Sequence, residues 1–136
     1  MAKTSYKING FFTVKKDADG NAVRYRARLI AKGYLQRFGI DYKETFSPVV
    51  RHSTLIMCFA MAANLRLKVD HLDVSTAFLN GSLTEDIYMS QPDGFDTGDG
   101  KVYKLHKAVY CLQQASRCWY LKVTDVLKAS GFTQSA

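Results

Sequence analysis

The sequence predicts an α+β fold in a single domain spanning residues 1–136. Three observations carry this expectation: an apolar and basic alternation around an Asp-Gly turn near the N-terminus, an apolar run of good helix formers after Ser53, and a helical stripe ending at Gly131. With 136 residues and 47% apolar composition, the chain suits one hydrophobic core, and a chain of this size buries about two-thirds of its unfolded surface.

Residues 8–16, INGFFTVKK, read as a strand; DADGN supplies turn chemistry at Asp19-Gly20, and 22–32, AVRYRARLIAK, reads as the return strand of a hairpin. On the return strand Arg24, Arg26 and Arg28 alternate with Val23, Tyr25, Ala27 and Leu29, so a period of two puts three guanidinium groups on one face. The segment 38–52, of mixed polarity and containing Pro48, reads as a structured loop. Ser53 is the expected N-cap of TLIMCFAMAAN, which is apolar nearly all round and therefore expected as a buried helix. Residues 67–74, LKVDHLDV, have strand character with Leu67, Val69, His71 and Asp73 on one face. LNGSL reads as a turn, DIYMSQ as a short strand, DGFDTGDG as a loop and KVYKL as another strand. From 106 to 129 the chain reads as helical, with Trp119, Tyr120, Val123, Val126 and Leu127 near one stripe and Gly131 as the stop.

The net charge of +7 is unevenly distributed: residues 1–68 hold 13 Lys/Arg against 4 Asp/Glu, while residues 69–136 hold 6 against 8. A basic half joined to a mildly acidic one points to a polyanion partner, against the plainer reading of a solvated basic surface. No apolar run approaches the ~20 residues of a membrane span, and MAKTSYKING lacks the apolar core of a secretory signal, so no membrane partner and an intracellular address are expected. Three irregularly spaced cysteines, Cys58, Cys111 and Cys118, suggest reduced thiols rather than a disulfide framework. A zinc site from His106, Cys111 and Cys118 fits no common spacing and lacks an evident fourth ligand.

Asp73 lies in HLDVSTAFL, among Leu72, Val74, Ala77, Phe78 and Leu79. Burying an ionised, unpaired carboxylate there would cost several kcal/mol, so something must offset it. A local cap, an arginine partner, or a magnesium ion held by a hard oxygen donor at a strand end would each do so.

The blocks RYRARLIAKGYLQ, GIDYKETFSPVVR, LDVSTAFLNG, DIYMSQPDGF and KVYKLHKAVYCLQQASRCWY stand in order. With them the chain resembles, from about residue 8 onward, the N-terminal part of the reverse transcriptase of copia-type long-terminal-repeat retrotransposons. The resemblance implies a right-hand polymerase, with 8–66 as fingers carrying the basic hairpin and 67–136 as a partial palm of antiparallel strands packed on helices. It makes Asp73 the first catalytic carboxylate, a ligand of two magnesium ions together with the backbone carbonyl of Val74. Phe78 matches the bulky residue that excludes a ribose 2′-hydroxyl, although a core phenylalanine would read the same way. Arg28 and Lys32 resemble the triphosphate clamp, Gln114 the glutamine beside the incoming nucleotide, and Arg24, Arg26 and Arg117 residues facing nucleic acid. The implied partners are an RNA template, a DNA primer and deoxynucleoside triphosphates. Asp73, Phe78, Gln114 and Arg28 are expected to meet at one cleft.

The sequence also departs from that family. Cys111, Gln113 and Ser116 replace the customary Gly, Lys and Pro, the tryptophan usual in the first fingers strand is missing, and no Asp-Asp pair occurs. The family's YVDD block is absent, so the isolated chain is expected to be catalytically inactive, with strand 67–74 left as an exposed edge that favours self-association. Leu67, Val69, Phe78 and Trp119 are expected to be partly solvent-facing. The competing expectation is a non-catalytic nucleic-acid-binding or interaction protein derived from the same module.

Overall fold

A computed structural model describes residues 5–6, 8–92 and 94–134; the first four residues, and Asp93 of the expected Gly/Asp loop, lie outside them. In chain order the elements are β1 (Ser5–Tyr6), β2 (Ile8–Lys16), β3 (Ala22–Ala31), a 3-10 turn at Gly33–Leu35, α1 (His52–Asn64), α2 (Ala77–Asn80), β4 (Tyr88–Ser90), β5 (Val102–Lys104) and α3 (Ala115–Ala129). Two small sheets result: the antiparallel hairpin β2–β3, and a three-stranded sheet in the order β1–β4–β5. In the latter, β4 and β5 are antiparallel while β1 adds in parallel, so the sheet is mixed rather than purely antiparallel.

The hairpin forms where the alternation placed it, with Lys15 opposite Arg24, Thr13 opposite Arg26 and Phe12 opposite Ala27. Its turn is organised by Asp17, whose Oδ1 accepts hydrogen bonds from the backbone N–H groups of Asp19 (3.0 Å) and Asn21 (2.8 Å). Gly20 supplies the left-handed φ of 87° that closes the turn.

A small core consists of Tyr6, Ala31, Ile87, Met89, Ala108, Val109, Leu112 and Ala115, bordered by Phe78, Leu83, Leu105 and Cys118. The segment 105–110 threads through it without forming a helix, and the chain then turns at Cys111, whose φ is 68°. Leu105 N–H donates to Ile87 O (2.9 Å), Ala108 N–H to Gly81 O (2.9 Å), and Tyr110 O accepts from Ala31 N–H (3.1 Å). These bonds correct the expectation of a helix from 106, because backbone groups committed to the hairpin and to residues 81–87 cannot close helical turns. The helix begins only at Ala115. It ends as expected at Gly131, where Gly131 N–H bonds Lys128 O and Phe132 N–H bonds Leu127 O, both at 3.0 Å.

Two further expectations are overturned. Residues 67–74 form no strand, because a strand needs a ladder partner and the described residues offer none along this stretch. The helix after Ser53 exists, but it starts at His52 after an extended Arg51, and none of its residues is buried. Leu55, Ile56, Met57, Phe59 and Met61 all face solvent. An all-round apolar helix needs cover on every side, and α1 packs extensively against no other helix or strand.

The consequence is visible in the total accessible surface of 10926 Å², against about 7,100 Å² expected for a compact monomer of this mass. Leu67 and Val69 are exposed, and Phe78 and Trp119 are half-buried. The chain therefore buries less apolar surface than its composition led one to expect.

Candidate functional site

The pleat of β3 puts Arg24, Arg26 and Arg28 on one face, where Arg26 is half-buried and the other two are exposed. Cross-strand pairing brings Lys15 beside Arg24, so like charges accumulate on this face at some cost in stability. Among the described residues none of the three arginines forms an ion pair. Such a row is an electrostatic footprint suited to phosphates.

At the end of β3 the chain meets Tyr110, whose backbone bridges Ile30. The Arg28 guanidinium carbon stands 5.9 Å from the centroid of the Tyr110 ring, within the range of cation–π attraction. The same ring packs edge-to-face with Phe78, at 5.2 Å between centroids and 76° between planes. Arg28 and Phe78, 50 residues apart, thus share one aromatic neighbour. Lys32, half-buried, follows just beyond the strand.

Phe78 owes its position to two local features. Thr76 adopts φ 52°, a left-handed conformation that is costly for a β-branched residue, and this reverses the chain between Asp73 and Phe78. Gly81 then lets α2 lie against α3, since a Cβ there would sit 2.8 Å from the Cys118 Cβ and carbonyl carbon.

Asp73 and Val74 are exposed on the irregular stretch before that turn. Asp73 is not at a strand end. Among the described residues no hydrogen bond or ion pair ties it to Phe78, Arg28 or Gln114.

Gln114 is 1% exposed and turned into the protein. Its Oε1 accepts from Gln36 Nε2 (3.0 Å) and its Nε2 donates to Asp41 O (3.2 Å), while Gln36 Oε1 accepts from Gln113 N–H (2.8 Å). Arg117 is engaged by Glu44, with Nη2 2.6 Å from Oε2, and donates to Phe46 O at 3.3 Å. The loop 36–46 is therefore fastened to the start of α3 by an amide network and an ion pair. Sequence reasoning missed Gln36, Asp41, Glu44 and Tyr110, whose partners lie too far along the chain for any local pattern to expose.

Near this loop, burial and then the Asp41 carboxylate push the Tyr6 phenol up to about 12. Partial burial opposes ionisation of Asp41, but the Tyr6 hydroxyl, the Arg37 N–H and the Arg37 charge outweigh it and hold its carboxyl below the usual value. Burial first, and the Glu85 charge second, push the Cys118 thiol up, which makes it a poor nucleophile or metal ligand.

The donor set does not fit a two-metal centre. Among the described residues no three His, Cys, Asp or Glu side chains come together, whereas two magnesium ions need several fixed oxygens. The same finding leaves His106, Cys111 and Cys118 without a zinc cluster.

Comparison with known proteins agrees with the order of sequence blocks. Residues 4–136 match the family described as reverse transcriptase (RNA-dependent DNA polymerase). The chain is 45% identical over 135 residues to the retrovirus-related Pol polyprotein from transposon TNT 1-94 of Nicotiana tabacum, covering 98% of this chain and 10% of that protein. It is 48% and 46% identical, over 126 residues each, to the retrovirus-related Pol polyproteins from transposons RE1 and RE2 of Arabidopsis thaliana, covering 91% of this chain and 9% of each relative. The chain thus spans about a tenth of the length of these relatives. No solved structure matches. Among the described residues no helix is long and apolar enough to cross a membrane.

Proposed function

Because the chain belongs to the reverse transcriptase (RNA-dependent DNA polymerase) family of copia-type retrotransposon Pol polyproteins, we propose that it supplies the nucleotide- and template-binding part of an RNA-directed DNA polymerase. In this reading residues 8–66 act as fingers and 67–136 as partial palm. The observation that carries it is the continuity of the arginine face of β3 with Tyr110 and Phe78.

Arg24 and Arg26 bind the phosphate backbone of an RNA template paired with a DNA primer. Arg28 and Lys32 hold the triphosphate of an incoming nucleotide, and Phe78 meets its sugar and disfavours a 2′-hydroxyl. Guanidinium groups suit phosphate oxygens because they donate paired hydrogen bonds, while lysine acts as a point charge. For Gln114 to touch the nucleotide its amide must leave Gln36 and Asp41, and for Arg117 to touch nucleic acid it must leave Glu44. Asp73 and Val74 are the proposed metal-facing positions; among the described residues no group of three acidic, His or Cys side chains forms around Asp73, so in this reading the chain by itself is not expected to extend primers. Its exposed apolar surface makes self-association a further expected property.

Binding of an RNA–DNA duplex, followed by fluorescence anisotropy between about 50 and 200 mM salt, tests the reading. Expected are weak, sequence-insensitive binding and a steep salt slope that falls by about two to three when Arg24, Arg26 and Arg28 are all replaced by alanine. Salt-independent binding overturns the electrostatic account. Primer extension that is abolished by Asp73→Asn overturns the expected inactivity. The alternative, a non-catalytic binding module, shares the salt dependence but gives no binding of deoxynucleoside triphosphates.

A further inference from the structure

We propose that Tyr110 is a positioning residue that couples sugar selection to triphosphate binding. This rests on the nucleotide-binding reading above and extends it to a residue that the sequence did not single out. The Tyr110 ring neighbours both groups: its centroid lies 5.9 Å from the Arg28 guanidinium carbon and 5.2 Å from the centroid of the Phe78 ring. Its backbone is in turn fixed to β3 through Ala31 N–H, 3.1 Å from Tyr110 O.

Arg28 is exposed on a strand. A long, exposed arginine samples many rotamers and loses that freedom when it binds phosphate. An aromatic face beneath the guanidinium favours one orientation beforehand, and so lowers the ordering cost at the moment of binding. Phe78 stands on α2, a four-residue helix that follows a left-handed threonine. A short element of this kind has little internal stiffness, so its aromatic position depends on what the ring packs against. The edge-to-face contact supplies that support. Through one ring, the group that meets the sugar and the group that holds the phosphates keep a fixed separation. Loosening Tyr110 should therefore weaken triphosphate binding and deoxy-over-ribo preference together.

The test uses the full chain with dATP and ATP as probes in isothermal calorimetry, and arginine side-chain NMR as an independent readout. Tyr110→Leu is expected to weaken dATP binding about three- to tenfold, from the usual size of one cation–π and one aromatic contact, and to move the dATP/ATP affinity ratio toward one. It is also expected to abolish the upfield ring-current shift of the Arg28 δ-protons. Tyr110→Phe keeps the ring and should retain the affinity, the ratio and the shift. Should Tyr110→Leu fail to fold, Tyr110→Met, which is close in size but lacks a ring, takes its place with the same expected losses. If the unaltered chain binds neither nucleotide, the functional reading falls and this inference with it. If it binds dATP and Tyr110→Leu or Tyr110→Met binds with unchanged affinity and ratio, the inference alone is overturned.

Discussion

Adding one methyl group at Gly33 tests how the candidate site is held. The backbone of Gly33 is pressed against the chain at 111–112, and a Cβ built there lies 1.8 Å from Cys111 O, 2.8 Å from Cys111 C and 3.1 Å from the Leu112 Cα. All three are backbone atoms, so no side chain can swing aside, and reaching ordinary contact requires the two segments to part by roughly 1.5 Å. That movement strains the bonds Gln113 N–H to Gln36 Oε1 (2.8 Å) and Gln113 Nε2 to Gly33 O (3.3 Å), and with them the Gln36–Gln114 pair. Overpacking of this kind costs about 1–3 kcal/mol, and each buried polar group left unpaired about the same. Gly33→Ala should therefore destabilise by about 4 kcal/mol, much of the stability that a small domain possesses. Urea denaturation followed by the fluorescence of Trp119, the sole tryptophan, measures it. Gly39→Ala is the control: φ there is 80° but nothing lies within 4 Å, so it should cost only about 1 kcal/mol. A Gly33→Ala chain within about 1 kcal/mol of the parent would refute the close approach of 33 to 111.

Alkaline pH probes Tyr6. Its phenol is raised from 10.0 to about 12 in the folded chain, so above pH 10 the unfolded state loses a proton that the folded state keeps; stability is full below pH 10 and falls toward pH 12, a decline that Tyr6→Phe should remove from the thermal midpoint. Arg66 occupies a left-handed position, φ 53°, at the C-terminal cap of α1, where Arg66 N–H bonds Ala63 O and Leu67 N–H bonds Ala62 O. Arg66→Gly is expected to stabilise the chain by about 0.5–1 kcal/mol in denaturant titration. On α1 itself, Ile56→Ser with Phe59→Ser should change folding stability by no more than roughly 0.5 kcal/mol per site, since both side chains already face solvent. Sedimentation velocity should record less concentration-dependent association in that double variant, and unchanged association would remove α1 from the sticky surface.

Local pattern was enough for the elements that local pattern makes. Asp17 to Asn21 and the alternation on either side specify the hairpin, because turn chemistry and a two-residue period act within a few residues. The Schellman ending at Gly131 follows from a single residue free to adopt a positive φ. The order of five blocks likewise identified the reverse transcriptase family from the sequence alone. The fate of 67–74 and 106–114 was decided elsewhere. Both have plausible local patterns, but a strand forms only beside a partner, and a helix forms only if its backbone groups are not already taken. Residues 105–110 give theirs to Ala31, Gly81 and Ile87, whereas 67–74 find no strand to pair with among the described residues. Helix α1 was legible as a helix and illegible as exposed, since composition states what a face prefers and only the tertiary structure states what covers it. The same holds for Gln114, whose amide is satisfied by Gln36 and Asp41 from more than 70 positions away, and for Tyr110, which earns its place beside Arg28 and Phe78 only once the chain has folded. Contacts of such separation leave no period to read, because their entropy of closure is offset by the whole core rather than by neighbours in the sequence.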